Sequence, residues 1–383
     1  MRVTSMVLVL AFLSPAAYGE TPKTDKSEGA HSDQSAVRIG GYIRARHGTI
    51  FEGDDGPDFV GLNDGFSLEN ARLVVDVDKG DLTARVSIDG AVDRRAAANT
   101  SVGRVDVGLK DAWIGYAVCR HFDLQVGQFK PPFDAEELQS TADMLFIDRS
   151  VQSRGIRGTE GYNIDGLSLD RQAGIMAAGR FALGQSWAMS YGVSVTNGSG
   201  ANYPQNDNDK LAYTGRITIE QGKHLVLGGG FHMNRTTDGT PPDLLVDDRT
   251  AWVVDLTYQR TVGPIGVHLA GQYMASATQS VDVAAEPEIV ARGYHGAVGL
   301  ELPRGYMVAY RYAVLDPTSD FEAEDPVAKA VLDIDSVTLH TAAVGYQVPR
   351  APLKIQLNYT LSMEQEGRAI DNDRLDLLFQ AVF

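Results

Sequence analysis

From residue 37 onward, apolar and polar side chains alternate in segments of about ten residues. Leu82, Ala84, Val86 and Ile88 interleave with Arg85, Ser87 and Asp89. In the last segment Leu375, Leu377, Phe379, Ala381 and Phe383 share one parity, and Arg374, Asp376 and Gln380 share the other. A period of two places the two sets on opposite faces of a strand. No long stretch keeps a helical period. The pattern predicts strands near 37–48, 66–78, 81–94, 105–117, 122–130, 172–183, 187–196, 211–220, 225–233, 250–259, 265–274, 293–302, 306–314, 336–346, 353–361 and 374–383.

Alternation alone does not separate a soluble sandwich from a membrane barrel; the connections do. Short gaps such as Lys79-Gly80, Gly184-Gln185-Ser186 and Pro303-Arg304-Gly305 take turns with long ones at 49–65, 131–171, 197–210, 234–249, 275–292, 315–335 and 362–373. Short turns at one end and long loops at the other mark a bacterial transmembrane barrel. A bilayer core offers no water to unpaired backbone groups, so such a sheet must close. An even strand number puts both termini at the short-turn, periplasmic side. Trp113, Tyr116, Trp187, Tyr213, Trp252, Tyr258, Tyr294 and Tyr306 fall near strand ends, where interfacial belts are expected. Phe383 closes an alternating strand in the manner of outer-membrane assembly signals. The predicted fold is all-β: a sixteen-stranded antiparallel transmembrane β-barrel over residues 37–383.

Ahead of it, Arg2, the apolar run from Val3 to Leu13 and the small residues Ala17 and Gly19 predict a signal peptide over 1–19. Residues 20–36, polar and aperiodic, predict a flexible periplasmic lead-in. The run is too short for a spanning helix. The net charge of -16 argues against a nucleic-acid partner. A lone cysteine, Cys119, excludes an intramolecular disulfide. Forty glycines recur inside the apolar segments, where they suit curved strands better than helices.

Other chemistry finds little support. Asp207-Asn208-Asp209 and Asp54-Asp55-Gly56 resemble pieces of calcium loops without the closing glutamate, and read as solvated loop tips that could loosely share divalent ions with lipopolysaccharide. The eight histidines lack zinc spacing, and no phosphate loop or nucleophile elbow is present. Gly228-Gly229-Gly230, inside a strand, reads as close packing or a bend. Nothing marks Cys119 as reactive. No cofactor, metal or catalytic residue is expected.

Val126-Gly127-Gln128-Phe129-Lys130-Pro131-Pro132-Phe133, then Phe146-Ile147-Asp148-Arg149-Ser150, together with the strand Leu109-Lys110-Asp111-Ala112-Trp113-Ile114-Gly115-Tyr116, resemble the phosphate-selective porin O and P family. The resemblance implies a homotrimer in the outer membrane of a Gram-negative bacterium. It also implies a third extracellular loop, 131–171, folded inward to narrow each pore, and basic side chains that favour anions such as phosphate. Pro131 and Pro132 must end the fifth strand for want of N–H groups, and Ala135 to Leu145 has helix-forming residues. Lys130 and Arg149 lie within the matching motifs, and Arg154 and Arg157 lie further along the loop. Strand parity adds Arg38, Arg44, Arg46, Arg72, Arg85 and Lys110 as inward wall candidates. Arginine's planar fork suits phosphate. The same wall carries Asp76, Asp78, Asp89 and Asp106, and Asp148 adjoins Arg149, so neutralised pairs are an equally physical reading. The expected function is a passive porin for small hydrophilic solutes, with anion or phosphate preference as the refinement. Three alternatives stay open: an adhesin or structural barrel with a filled lumen, an outer-membrane lipase-type enzyme using a pair such as Ser190 and His232, and a porin with cation or sugar preference.

Overall fold

The computed structural model describes residues 35–51, 64–93, 105–156, 164–203, 205–240, 243–282, 287–320, 336–364 and 372–383. The signal peptide, most of the lead-in and Arg157 lie outside these residues. The strands are β1 (Ser35–Phe51), β2 (Gly65–Lys79), β3 (Leu82–Asp93), β4 (Val105–Cys119), β5 (Phe122–Phe129), β6 (Gly155–Ile156), β7 (Ile164–Asp165), β8 (Gln172–Ala182) and β9 (Trp187–Thr196). They continue with β10 (Ala212–Gln221), β11 (Leu225–Thr240), β12 (Asp243–Val262), β13 (Ile265–Ser280), β14 (Ile289–Glu301), β15 (Tyr306–Asp316), β16 (Val337–Gln347), β17 (Leu353–Glu364) and β18 (Asp373–Val382).

All but β6 and β7 form one closed antiparallel barrel of sixteen strands, in which β5 pairs with β8 and β1 with β18. The seam runs from Tyr42↔Val382 to Phe51↔Asp373. Gly41 and Phe383 extend it by exchanging backbone hydrogen bonds of 2.9 and 3.0 Å. The first strand starts at Ser35, two residues inside the expected lead-in, because Ser35 and Ala36 still have ladder partners in Lys79 and Asp78. Gly80, Gly222 and Gly263, at the short turns, have φ near +60°, the conformation that tight hairpins need.

The two faces of the sheet separate by parity. On β10, Thr214, Arg216, Thr218 and Glu220 are buried while Tyr213 and Ile217 are exposed. A closed ring with apolar side chains outside and polar ones inside is a membrane barrel with a polar lumen. Tyr116, Trp187, Tyr213, Trp252, Tyr294 and Tyr306 point outward, as an interfacial belt requires. Trp113 does not. It is buried in the lumen, with the Arg85 guanidinium 6.0 Å from its ring, because it shares parity with Asp111.

Bulges explain where parity fails. β4 pairs Asp111 with Ser87 and Leu109 with Ile88, which leaves Lys110 as the extra residue. The lumen face therefore passes from even positions to odd ones at Lys110, and both Lys110 and Asp111 are half-buried. Strands β11 to β13 outrun the sequence prediction. Much of the expected loop 234–249 is a ladder, with Arg235 opposite Asp248 and joined to it at 2.8 Å. Both faces of that hairpin carry polar residues, so apolar alternation had nothing to report.

Candidate functional site

The longest described insertion in the ring follows β5. Gly127 has φ of +131°, and a Cβ there would strike the backbone carbonyl of Ala112, so only glycine fits the end of this strand. Pro131 and Pro132 then end the ladder. Asp134 caps helix α1 (Ala135–Leu138) by accepting from the Glu137 N–H at 2.8 Å. The helix is only four residues long, shorter than 135–145 offered. A 3-10 turn at Thr141–Asp143 and helix α2 (Val151–Arg154) complete the ordered part.

Strand side chains hold this segment mainly by its carbonyl groups. Arg216 on β10 donates to Phe133 O (2.7 Å), Gln380 on β18 to Ala142 O (2.9 Å), and Lys354 and Gln356 on β17 to Met144 O and Leu145 O (2.9 and 2.8 Å). Arg44 on β1 donates to Ile147 O (2.6 Å), and Arg311 on β15 to Asp148 O (3.0 Å). The Asp148 carboxylate sits between Arg46 (3.2 Å) and Arg374 (2.9 Å), and both arginines also bond Asp376. Beside these bonds lies a dry cluster: Phe133, Val151, Ile156 and Leu167 pack on Val253, Met274 and Leu315 of the wall.

Five of the predicted basic residues fall into three sets. Arg44 is spent on the loop and on Asn70. Arg72 and Arg85 are paired on the wall, with Asp89 (2.9 Å) and Asp76 (2.6 Å). Lys130 and Arg149 come together on one carboxylate, Glu137, at 3.4 and 2.9 Å to its two oxygens. Arg149 also donates to the Gln139 carbonyl, and Lys130 to those of Glu137 and Gln139. Arg154 folds back on Arg149 O and Gly155 O.

Lys130 also feels the charges of Arg149, Arg171 and Asp111, and Lys110 those of Asp170, Arg171 and Arg72. Arg171, just ahead of β8, bonds Asp111 at 2.8 Å. Loop cations and wall cations on the β2–β4 side thus share one electrostatic neighbourhood. Burial, partly opposed by Glu137 and reinforced by Arg149 and Arg171, brings the Lys130 ammonium down to about 7. Glu136 behaves in the opposite sense. Burial works against its charge, but His295, Arg311 and the Ser150 hydroxyl hold its carboxyl at about 2. The lumen here contains a cavity of about 590 Å³, lined by eight Lys and Arg side chains and five Asp and Glu.

Comparison with known proteins agrees with this geometry. The model of the family "phosphate-selective porin O and P" matches residues 43–249, more than half of the 383-residue chain. The chain belongs to that family. Among solved structures, the outer-membrane channel DcaP of Acinetobacter baumannii is 16% identical, with 91% of this chain and 97% of that one covered and a TM-score of 0.60. An anion-selective porin from Comamonas acidovorans is 12% identical, with 91% and 100% covered and a TM-score of 0.58. The trimer form of OmpT, an outer-membrane protein of Vibrio cholerae, is 11% identical, with 92% and 100% covered and a TM-score of 0.55. At these identities the structures speak for the fold. A search of curated proteins returned no match.

As a member of the phosphate-selective porin O and P family the chain is an outer-membrane channel protein rather than an enzyme. Ser190 and His232 fit that assignment. Both are buried on the lumen face, and they serve different partners, Glu220 and Thr214. Sequence alone did not single out Arg171, Arg216 or Arg311, and it marked Arg374 only as a polar-face residue of the last strand. Arg216 and Arg311 have the parity of buried positions. What hid them was their role, since they support the loop through contacts distant in sequence.

Proposed function

We propose that this protein is a passive porin for small hydrophilic solutes that prefers anions, phosphate among them. In this reading the segment from Pro131 to Arg171 narrows the pore, and the barrels assemble as a homotrimer surrounded by outer-membrane lipid and lipopolysaccharide. The observation that carries the anion preference is the excess of eight basic over five acidic side chains around the cavity, in a chain whose net charge is -16. Pairs such as Arg72–Asp89 and Arg171–Asp111 cancel locally, so the preference rests on the net excess, to which Lys130 and Arg149 contribute by sharing the single carboxylate of Glu137. A low-dielectric wall focuses the field of such residues into the lumen, and anions enter more readily than cations. Arg149 and Arg171 have planar forks of the kind that suits phosphate, for which an entering anion competes with Glu137 and Asp111. The trimer follows the form described for the Vibrio cholerae protein.

Chloride current through single channels, measured with and without added phosphate, tests this function. Phosphate should reduce the current in a concentration-dependent way, and Lys130→Gln should weaken the block. Current indifferent to phosphate would remove phosphate from the list of solutes. A folded barrel that passes no current would overturn the porin reading.

A further inference from the structure

Glycine inside a strand sacrifices packing and costs entropy, so one on the lumen face needs a local reason. Two such residues have the same one. On β11, a Cβ at Gly230 would fall far inside contact distance of Phe133 O and 2.9 Å from Val253 Cγ1. On β14, a Cβ at Gly293 would overlap Gln152 Cβ and lie 2.9 Å from Val314 O. In each case the obstructed partner belongs to the segment after β5: Phe133 at its start, Gln152 in α2. Two further glycines flank the first two. At Gly228 a Cβ would displace the Arg216 guanidinium that donates to Phe133 O, and at Gly299 it would press on Leu145 Cδ1 at 3.1 Å.

Between β11 and β14 the wall meets the segment with the apolar side chains of Ala251 and Val253 on β12 and Met274 on β13, and with Gln272 and His295, which bond Ser153 and Gln152. The wall there is reduced to backbone at two points, Gly230 and Gly293. The loop's basic residues Lys130 and Arg149 share their surroundings with Arg171 and Asp111 on the β4 and β8 side of the ring.

We propose that Gly230 and Gly293 are positioning residues for permeation: they form a seat that lets the loop lie close against β11–β14 and so keeps the path beside β2–β4 and β8 open. A methyl group at either position lifts the loop off the seat toward the basic wall and narrows that path. This inference rests on the porin reading for its effect on current, but not for its effect on loop seating.

The test uses Gly230→Ala and Gly293→Ala in the full-length protein, with Gly296→Ala as control. Gly296 is on the same strand as Gly293 but faces outward, and a Cβ there meets nothing within 4 Å. Single-channel conductance should fall to roughly half in the two seat variants, because conductance follows the cross-section left open. It should stay at the wild-type value in the control. Trypsin should cleave after Arg149 or Arg154 faster in both seat variants than in the control, whether or not the channel conducts. Conductance equal to or above wild type in both seat variants would overturn the proposal. If the wild type itself carries no current, proteolysis decides: equal rates in the seat variants and the control would overturn the seat. A wild type that conducts, with unaltered seat variants, would leave the porin reading standing and remove only this inference.

Discussion

Individual side chains in this lumen do two kinds of work, and the distinction is visible in their partners. Arg216 has a side chain of 0% exposure, grips Asp255 with two bonds of 2.7 Å and donates a third to Phe133 O. It is structural. Asp255→Ala would leave this guanidinium buried without its carboxylate, and breaking a buried pair costs roughly 3–5 kcal/mol. The variant should therefore unfold at clearly lower temperature than wild type, as read by heat-modified electrophoretic mobility. Lys130 belongs to the second kind. Its ammonium is brought down to about 7, so its charge is present below that pH and lost as pH rises through it. Anion preference should weaken as pH is raised across this value, and the Lys130→Gln channel should lack that component. Equal pH dependence in the two proteins would show that Lys130 does not tune the pore. The difference between the two proteins is the relevant quantity, because it isolates Lys130 from every other group that titrates.

At the scale of elements, a strand was readable wherever one of its faces meets lipid. The boundaries predicted for β9, residues 187–196, coincide with those observed, because Tyr191, Val193 and Val195 alternate cleanly with Ser190, Ser194 and Thr196. The hairpin of β11 and β12 was half-read for the converse reason. Beyond Met233 the β11 side is polar on both faces, and Leu244, Leu245 and Val246 on the β12 side are consecutive and do not alternate, so pairing is carried by the ladder and by Arg235 with Asp248. That ion pair is open to solvent, where competing water and side-chain entropy offset the attraction. Arg235→Ala should leave thermal stability and channel current unchanged; a marked loss of either would assign this hairpin a role beyond extending the ladder. The loop was located by its prolines and by Val126 to Phe133, but its supports were not. Phe133 rests between residues far away in sequence, and no local pattern announces a carbonyl that will receive Arg216. The glycines at 228–230 were read as close packing or a bend, and Phe133 is what Gly230 makes room for. Lys110 was assigned inward by simple parity. It does share the lumen side with Asp111, but only because a bulge interrupts that parity.

At the scale of the whole molecule, charge is distributed unevenly, and the unevenness is what function would depend on. The chain as a whole is acidic, yet the cavity lining is basic in balance. Net charge is therefore a poor guide to the charge balance of the lumen, and strand parity, which sorts inside from outside, is the better one. Alternation of short and long connections was enough to specify a closed barrel, because a bilayer permits few other solutions. Which ion the lumen favours depends on how completely each arginine is neutralised, and that is a matter of distances such as those joining Lys130 and Arg149 to Glu137. The central claim is a passive, anion-preferring pore. The direct test is the reversal potential of single channels in a planar bilayer under a potassium chloride gradient. A reversal potential displaced toward that of chloride is the expected result; one displaced toward that of potassium would contradict the account.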